Sequence, residues 1–166
     1  MLGNARTLVL AAAAVCTLLA APASAAEVVY VIRHLQKGAG DDPPLTPEGA
    51  AGAGSLANIL ADRGIRAVYA TPTRRAIQTA TPLAVRLGLP VKRYDPANTA
   101  ALLEETRAIP GNILVVGHSN TVPDLVEQFG GEKPAPMTEQ DYGTIYIVYP
   151  ANKEVGEITL PAAKAN

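Results

Sequence analysis

Histidine and arginine side chains stand directly after three apolar, strand-like runs of this sequence. Arg33 and His34 follow the first run, Arg74 and Arg75 lie just after the second, and His118 lies just after the fourth. Imidazole is a nucleophile and a proton carrier near neutral pH, and a guanidinium group binds phosphate oxygens in a bidentate fork. Such a set of residues is typical of chemistry on a phosphoryl group.

The apolar runs alternate with helical segments. Strands are predicted over residues 27–32, 65–70, 91–94, 113–116, 143–149 and 155–160, and helices over residues 47–63, 73–87, 97–109 and 123–129. This order predicts an α/β three-layer α/β/α sandwich, whose mainly parallel sheet has an antiparallel edge. Parallel strands end at one edge of the sheet, so the histidines and arginines are expected to converge there. Pro82 is expected to kink or restart the second helix.

The first 25 residues have the pattern of a secretory signal peptide. Arg6 precedes an apolar stretch over residues 8–21, and Ala23-Ser24-Ala25 forms a small-residue cleavage site. The stretch is short for a bilayer span, which needs about 20 residues. Cleavage after Ala25 predicts a periplasmic or secreted domain over residues 26–166, with no stable membrane association. An uncleaved N-terminal anchor is the alternative.

Composition argues against several classes of function. Lys and Arg (14) nearly balance Asp and Glu (15), and no basic run is interleaved with aromatic residues, so nucleic acid is not an expected partner. A single cysteine forms neither a disulfide scaffold nor a Cys-based zinc site. The sequence has no metal-ligand spacing, so neither a metal nor another cofactor is expected. The mostly polar helix faces predict a monomer.

Three motifs, in this order and strand context, resemble those of the histidine phosphatase superfamily, whose fold is phosphoglycerate mutase-like. They are Val31-Ile-Arg33-His34, Thr71-Pro-Thr-Arg-Arg75-Ala-Ile-Gln-Thr79 and Val116-Gly-His118-Ser-Asn120. The resemblance runs from about residue 28 to residue 149. In its compact size the chain is similar to the short members of the family, such as the bacterial phosphohistidine phosphatases.

The resemblance implies a role for each matching residue. His34 corresponds to the nucleophile that takes up the phosphoryl group, and Arg33 and Arg75 correspond to phosphate-binding arginines. His118 corresponds to the second pocket histidine, a catalytic residue that binds the phosphoryl group. Arg74 is expected to be a surface neighbour. The implied function is metal-independent hydrolysis of phosphomonoesters, with a small phosphorylated substrate, through a phosphohistidine on His34.

The motifs leave the general acid, which protonates the leaving oxygen, without an assignment. Asp95 follows the third strand and is the first candidate, since it falls at the same sheet edge as the histidines. Asp41 and Asp42, on the loop after the first strand, and Asp124, at the start of the fourth helix, are alternatives. The loop after the first strand is too short for an elaborate lid, so an open site is expected.

The residues after His34 leave a second function open. Leu35 is bulky and is expected at the pocket floor, and Gln36 cannot act as a proton donor. A catalytically weak or inactive phosphate-binding module on the same fold is therefore the alternative to an enzyme. A serine hydrolase is disfavoured because a nucleophile elbow at Ser119 needs a histidine downstream, and none follows His118.

Overall fold

Six strands and four helices alternate along residues 26–161, the part of the chain that a computed structural model describes. The strands are β1 (Ala26–Arg33), β2 (Ile65–Ala70), β3 (Val91–Arg93), β4 (Gly111–Gly117), β5 (Thr144–Tyr149) and β6 (Glu154–Thr159). The helices are α1 (Pro47–Leu60), α2 (Arg74–Leu87), α3 (Thr99–Arg107) and α4 (Val122–Gln128). The predicted signal peptide at residues 1–25 lies outside the described residues. Within them, no helix is both long and apolar enough to span a bilayer.

The strands form one sheet in the order β3-β2-β4-β1-β5-β6. The first four strands in this order are parallel neighbours, whereas β5 lies antiparallel to β1 and β6 lies antiparallel to β5. The predicted mainly parallel sheet with an antiparallel edge is confirmed. Because β4 and β1 are central and adjacent, their carboxyl ends lie side by side, with the end of β2 next to that of β4.

Apolar side chains cover both faces of the sheet. On one face, Ile32 packs with Leu56 of α1 and Leu83 of α2, and all three are fully buried. On the other face, Val31 packs in a second cluster that includes Leu125 of α4. Neighbouring residues of β1 point to opposite faces because side chains alternate along a strand. The two clusters complete the predicted α/β/α sandwich.

The start of α1 is closely packed against the segment that follows β1. Thr46 caps the helix, since its Oγ1 accepts a hydrogen bond from Gly49 N at 3.1 Å, and a proline occupies the first helical position. A Cβ at residue 49 would lie 2.2 Å from the backbone oxygen of Gln36, and one at residue 52 would lie 3.1 Å from Leu35 Cδ1. The glycines Gly49 and Gly52, which weaken helical propensity, therefore allow this approach.

α2 passes through Pro82 as one helix, so the expected restart is not observed. The helix runs from Arg74 to Leu87, and Gly88, with a φ of 66°, ends it in the left-handed conformation. Pro82 removes one backbone hydrogen bond from the helix interior. Leu83 and Ala84, which follow it, are buried in the core, and this packing stabilises the helix around the proline.

Candidate active site

The ends of β1, β2 and β4 bring the predicted site residues together at one edge of the sheet. Arg33, His34, Arg75 and His118 line a cavity of about 430 Å³ there, and we call these four residues the cradle. The rings of His34 and His118 meet edge to face, with their centroids 5.2 Å apart. The convergence that the strand ends predict is thus present in the structure.

Backbone hydrogen bonds at the strand ends fix both histidines. His34 N donates to Gly117 O at 2.9 Å, so the pairing of β1 with β4 continues one residue beyond β1. His118 N donates to Thr121 Oγ1 at 3.0 Å, where the chain turns towards α4. A Cβ on Gly117 would lie 2.9 Å from the same hydroxyl oxygen. The glycine before His118 is therefore required by this tight turn.

His34 is buried, and its own backbone neighbour fixes its ring. Nδ1 lies 2.9 Å from the Leu35 carbonyl oxygen, which can only accept, so Nδ1 carries a proton and donates it. Burial lowers the pKa of His34 to about 4, assisted by His118 and Arg75 and opposed by the Leu35 hydrogen bond. At pH 7 the ring is therefore neutral, with the Nε2 lone pair available.

His118 faces His34 and contacts a buried hydroxyl group. Thr71 Oγ1 lies 2.8 Å from His118 Nε2, and Thr71 is fully buried directly after β2. Burial, and then the positive charges of Arg75 and Arg33, lower the pKa of His118 to about 4. The second histidine is therefore also neutral at pH 7.

Arg33 is fully buried, and most of its donors are occupied. Nη1 donates to the carbonyl oxygens of Thr138 (2.7 Å) and Asp141 (3.2 Å). Nη2 donates to Glu139 Oε2 (3.2 Å) and to the Tyr142 hydroxyl (3.3 Å). The guanidinium carbon lies 4.1 Å from the centroid of the Tyr142 ring. Nε is buried and has no hydrogen-bond partner among the described residues.

Arg75 reaches the cavity from the first turn of α2. Its side chain is 17% exposed, and its Nη1 lies 3.5 Å from Asp42 Oδ1. Its Nε is buried and unpartnered, like that of Arg33. The neighbouring Arg74 is exposed and does not line the cavity. The structure therefore brings Arg75 to the histidines and leaves Arg74 on the surface, as the resemblance implies.

Leu35 does not lie at the pocket floor, so that expectation was wrong. Its side chain is 1% exposed and packs in the core against Gly52. Leu35 N donates to Thr79 Oγ1 at 3.0 Å, which ties this position to α2. The Gln36 side chain donates to Glu48 Oε1 at 3.3 Å. Neither Leu35 nor Gln36 lines the cavity.

The candidate acids lie in different places. Asp95 is exposed, and its Oδ1 accepts a hydrogen bond from Ala97 N at 2.9 Å. Asp42 lies at the start of α2, where its Oδ1 accepts from Arg74 N at 3.0 Å. Asp124 forms a surface ion pair with a lysine. None of the three lines the cavity, so the structure does not bring Asp95 to the histidines, and its role as general acid stays a prediction.

Part of the site comes from residues that the motifs did not identify. Residues 138–142, which we call the cover segment, lie against Arg33 in the connection between α4 and β5. Glu139 from this segment and Lys37 line the cavity, together with Ser119 and Asn120 of the third motif. The direction of β5 explains why this segment reaches the site. β5 runs antiparallel to β1, so β5 begins at the edge of the sheet where β1 ends.

The sequence comparisons match the part of the chain that contains Arg33, His34 and Arg75. The family model of the histidine phosphatase superfamily (branch 1) matches residues 29–97. The uncharacterized protein Rv0525 of Mycobacterium tuberculosis is 44% identical to this chain over 69 residues, which make up 41% of this chain and 34% of that protein. The chain thus matches about a third of the length of this curated relative.

Solved structures share the fold over most of the chain. The protein histidine phosphatase SixA, complexed with tungstate, is 23% identical, with a TM-score of 0.57 over 81% of this chain and 96% of that one. The mycobacterial glucosyl-3-phosphoglycerate phosphatase Rv2419c is 13% identical, with a TM-score of 0.61 over 82% of this chain and 99% of that one. At these identities the likeness concerns the fold alone.

Fold and site together define an α/β/α sandwich with two histidines and two arginines at the carboxyl edge of its parallel strands. The chain has the phosphoglycerate mutase-like fold, and its residues 29–97 match the family model of the histidine phosphatase superfamily (branch 1).

Proposed function

We propose that this protein is a phosphatase that hydrolyses small phosphomonoesters through a phosphohistidine on His34, without a metal ion. One observation carries the proposal. A neutral His34, whose Nδ1 proton is held by the Leu35 carbonyl, shares a cavity with two arginines that each have a buried, unpartnered Nε. A nucleophilic nitrogen and two phosphate donors are therefore present in one pocket.

The first chemical step forms the phosphoenzyme. The lone pair of His34 Nε2 attacks phosphorus, and the ester P–O bond breaks with its electron pair passing to the leaving oxygen. Arg33 and Arg75 donate to the non-bridging oxygens, where charge-assisted hydrogen bonds stabilise the transition state. Water then attacks phosphorus, the N–P bond breaks, and inorganic phosphate leaves a restored His34.

In this mechanism the guanidinium groups stabilise the negative charge of the transition state. Chelation of metal ions is therefore expected to leave the rate of hydrolysis unchanged. Among residues 26–161, no three His, Cys, Asp or Glu side chains cluster as metal ligands. Hydrolysis of p-nitrophenyl phosphate in EDTA tests this part of the proposal directly. A loss of turnover that added metal restores would contradict metal independence.

His34→Ala in the same assay tests the nucleophile. We expect kcat to fall by at least about 10³-fold, because the variant lacks the group that forms the covalent intermediate. Mass spectrometry of the quenched wild-type reaction should find the phosphoryl group on the peptide that contains His34. Circular dichroism checks that the variant is folded. A variant that stays active would contradict the mechanism.

The alternative is a phosphate-binding module without turnover. Its sequence argument rested on Leu35 and Gln36, and neither residue lines the cavity. Wild-type protein that binds inorganic phosphate but does not hydrolyse p-nitrophenyl phosphate would support this alternative.

We also propose that the protein is exported and acts as a monomer. Export rests on the signal-peptide pattern of residues 1–25. N-terminal sequencing of protein from the periplasm or medium tests the predicted cleavage site, and a retained Met1 would contradict cleavage.

A further inference from the structure

The cavity holds one carboxylate that the mechanism above does not use. Glu139 lines the cavity together with the cradle. Its Oε2 accepts a hydrogen bond from Arg33 Nη2 at 3.2 Å, and its Oε1 accepts one from Ser119 Oγ at 3.4 Å. Arg33 directly precedes His34, and Ser119 directly follows His118. The carboxylate is therefore tied to the sequence neighbours of both cradle histidines.

Arg33 also fixes the backbone on both sides of Glu139. Its Nη1 binds the carbonyl oxygens of Thr138 and Asp141, and its Nη2 binds the Tyr142 hydroxyl as well as Glu139. Within residues 26–161, no other carboxylate lines the cavity. The cover segment thus presents a single carboxylate to the cradle.

We propose, on the basis of the proposed function, that Glu139 is the proton donor and acceptor of the reaction. As His34 Nε2 forms its bond to phosphorus, the leaving oxygen keeps the electron pair of the P–O bond and takes the proton of the Glu139 carboxyl. This step yields a neutral alcohol and a carboxylate. In the second step the carboxylate takes a proton from the attacking water, the N–P bond breaks, and the carboxyl group is restored as phosphate leaves.

A bound phosphate dianion competes with Glu139 for the guanidinium group of Arg33, whose Nη2 lies 3.2 Å from Glu139 Oε2. The Glu139 side chain is 69% exposed, so it exchanges protons with solvent between turnovers and has access to the water of the second step.

Two substrates with leaving groups of different basicity test this assignment. The anion of p-nitrophenol leaves without a proton, whereas the alkoxide of glycerol 2-phosphate requires one. We expect Glu139→Gln to lower kcat/KM for glycerol 2-phosphate by about 10²–10⁴-fold and for p-nitrophenyl phosphate by less than about fivefold. kcat/KM covers the steps through the first phosphoryl transfer, so it isolates donation to the leaving group.

Glu104→Gln is a matched control. Glu104 is 75% exposed and is paired with Arg107 at 2.8 Å, but it lies on α3 outside the cavity. Both substrates should be hydrolysed at the wild-type rate. Asp95→Asn tests the rival acid, and a loss confined to glycerol 2-phosphate in that variant alone would overturn the assignment to Glu139.

The assignment to Glu139 depends on the ratio of two losses in Glu139→Gln: that of kcat/KM for glycerol 2-phosphate and that of kcat/KM for p-nitrophenyl phosphate. Equal losses of kcat/KM on both substrates, or no loss on either, would overturn the assignment. Glu139→Asp keeps a carboxyl group and should recover part of the glycerol 2-phosphate activity, which separates proton donation from a merely structural role. Wild-type protein that does not turn over p-nitrophenyl phosphate would overturn the proposed function itself.

Discussion

The cradle and the cover segment face one cavity but are built in different ways. His34 and Arg33, at the end of a central strand, are 2% and 1% exposed, and backbone pairing with β4 fixes their positions. Glu139 is 69% exposed and stands on an irregular connection that side-chain hydrogen bonds from Arg33 hold in place. A nucleophile benefits from a rigid, dry position, which keeps it neutral, whereas a proton donor needs contact with water.

Arg33 joins the two regions, so its loss should have the largest effect. Arg33→Ala removes a phosphate donor and leaves the carbonyl oxygens of Thr138 and Asp141 without their donor. We expect kcat/KM to fall by about 10³-fold or more and the free energy of unfolding to fall by about 2–3 kcal/mol. Kinetics with p-nitrophenyl phosphate and urea denaturation measure the two effects. Unchanged stability would show that Arg33 does not hold the cover segment.

Arg75 belongs to the cradle alone, so its loss should separate activity from stability. Among residues 26–161 its one ion pair is with Asp42, at 3.5 Å. Arg75→Ala should lower kcat/KM by about 10²–10³-fold and change the free energy of unfolding by less than about 0.5 kcal/mol. Arg74→Ala is the matched control and should change kcat/KM by less than about twofold. Equal losses in the two variants would mean that the second motif is aligned on the wrong arginine.

The smallest expected effect is on the pH dependence of the two buried histidines of the cradle. The sequence contains two histidines, so a histidine NMR spectrum reports on His34 and His118 alone. Both should titrate with pKa values near 4 instead of 6.5. Midpoints between pH 6 and 7 would contradict the burial argument.

Thermal unfolding gives a second measurement of the same effect. Between pH 6.5 and about 4 the unfolded chain binds more protons than the folded one, because both pKa values are lower in the folded state. The free energy of unfolding should therefore be at its full value above pH 6.5 and decrease as the pH falls towards 4. His118→Gln should make this decrease less steep.

Local patterns predicted the cradle because strand ends carry strong signals. A short β-branched run before Arg33 and His34, and another before His118, determine where each strand stops. Parallel pairing then brings those ends to one edge, whatever the details of packing. The capping residue Thr46 and the terminating Gly88 likewise follow local rules for helix ends.

The predictions from sequence were wrong where tertiary packing determines the position of a side chain or the course of a helix. The size of Leu35 suggested a crowded pocket, but Gly52 opens space for it in the core. Pro82 predicted a kink or a restart of α2, but the helix runs through Pro82 without a restart, and the neighbouring Leu83 and Ala84 are buried. In each case a local preference was overridden or redirected by contacts that sequence spacing does not show.

The sequence by itself determined the order of elements, the strand ends and the residues placed there, since each depends on neighbours within a few positions. Only the tertiary structure decided that Glu139, more than a hundred residues after Arg33, binds the same guanidinium group. The antiparallel return of β5 beside β1 produces this contact, and an irregular polar segment has no periodicity from which to predict it. Tertiary contacts also decided that both histidines are neutral, because burial, and not residue type, lowers their pKa values.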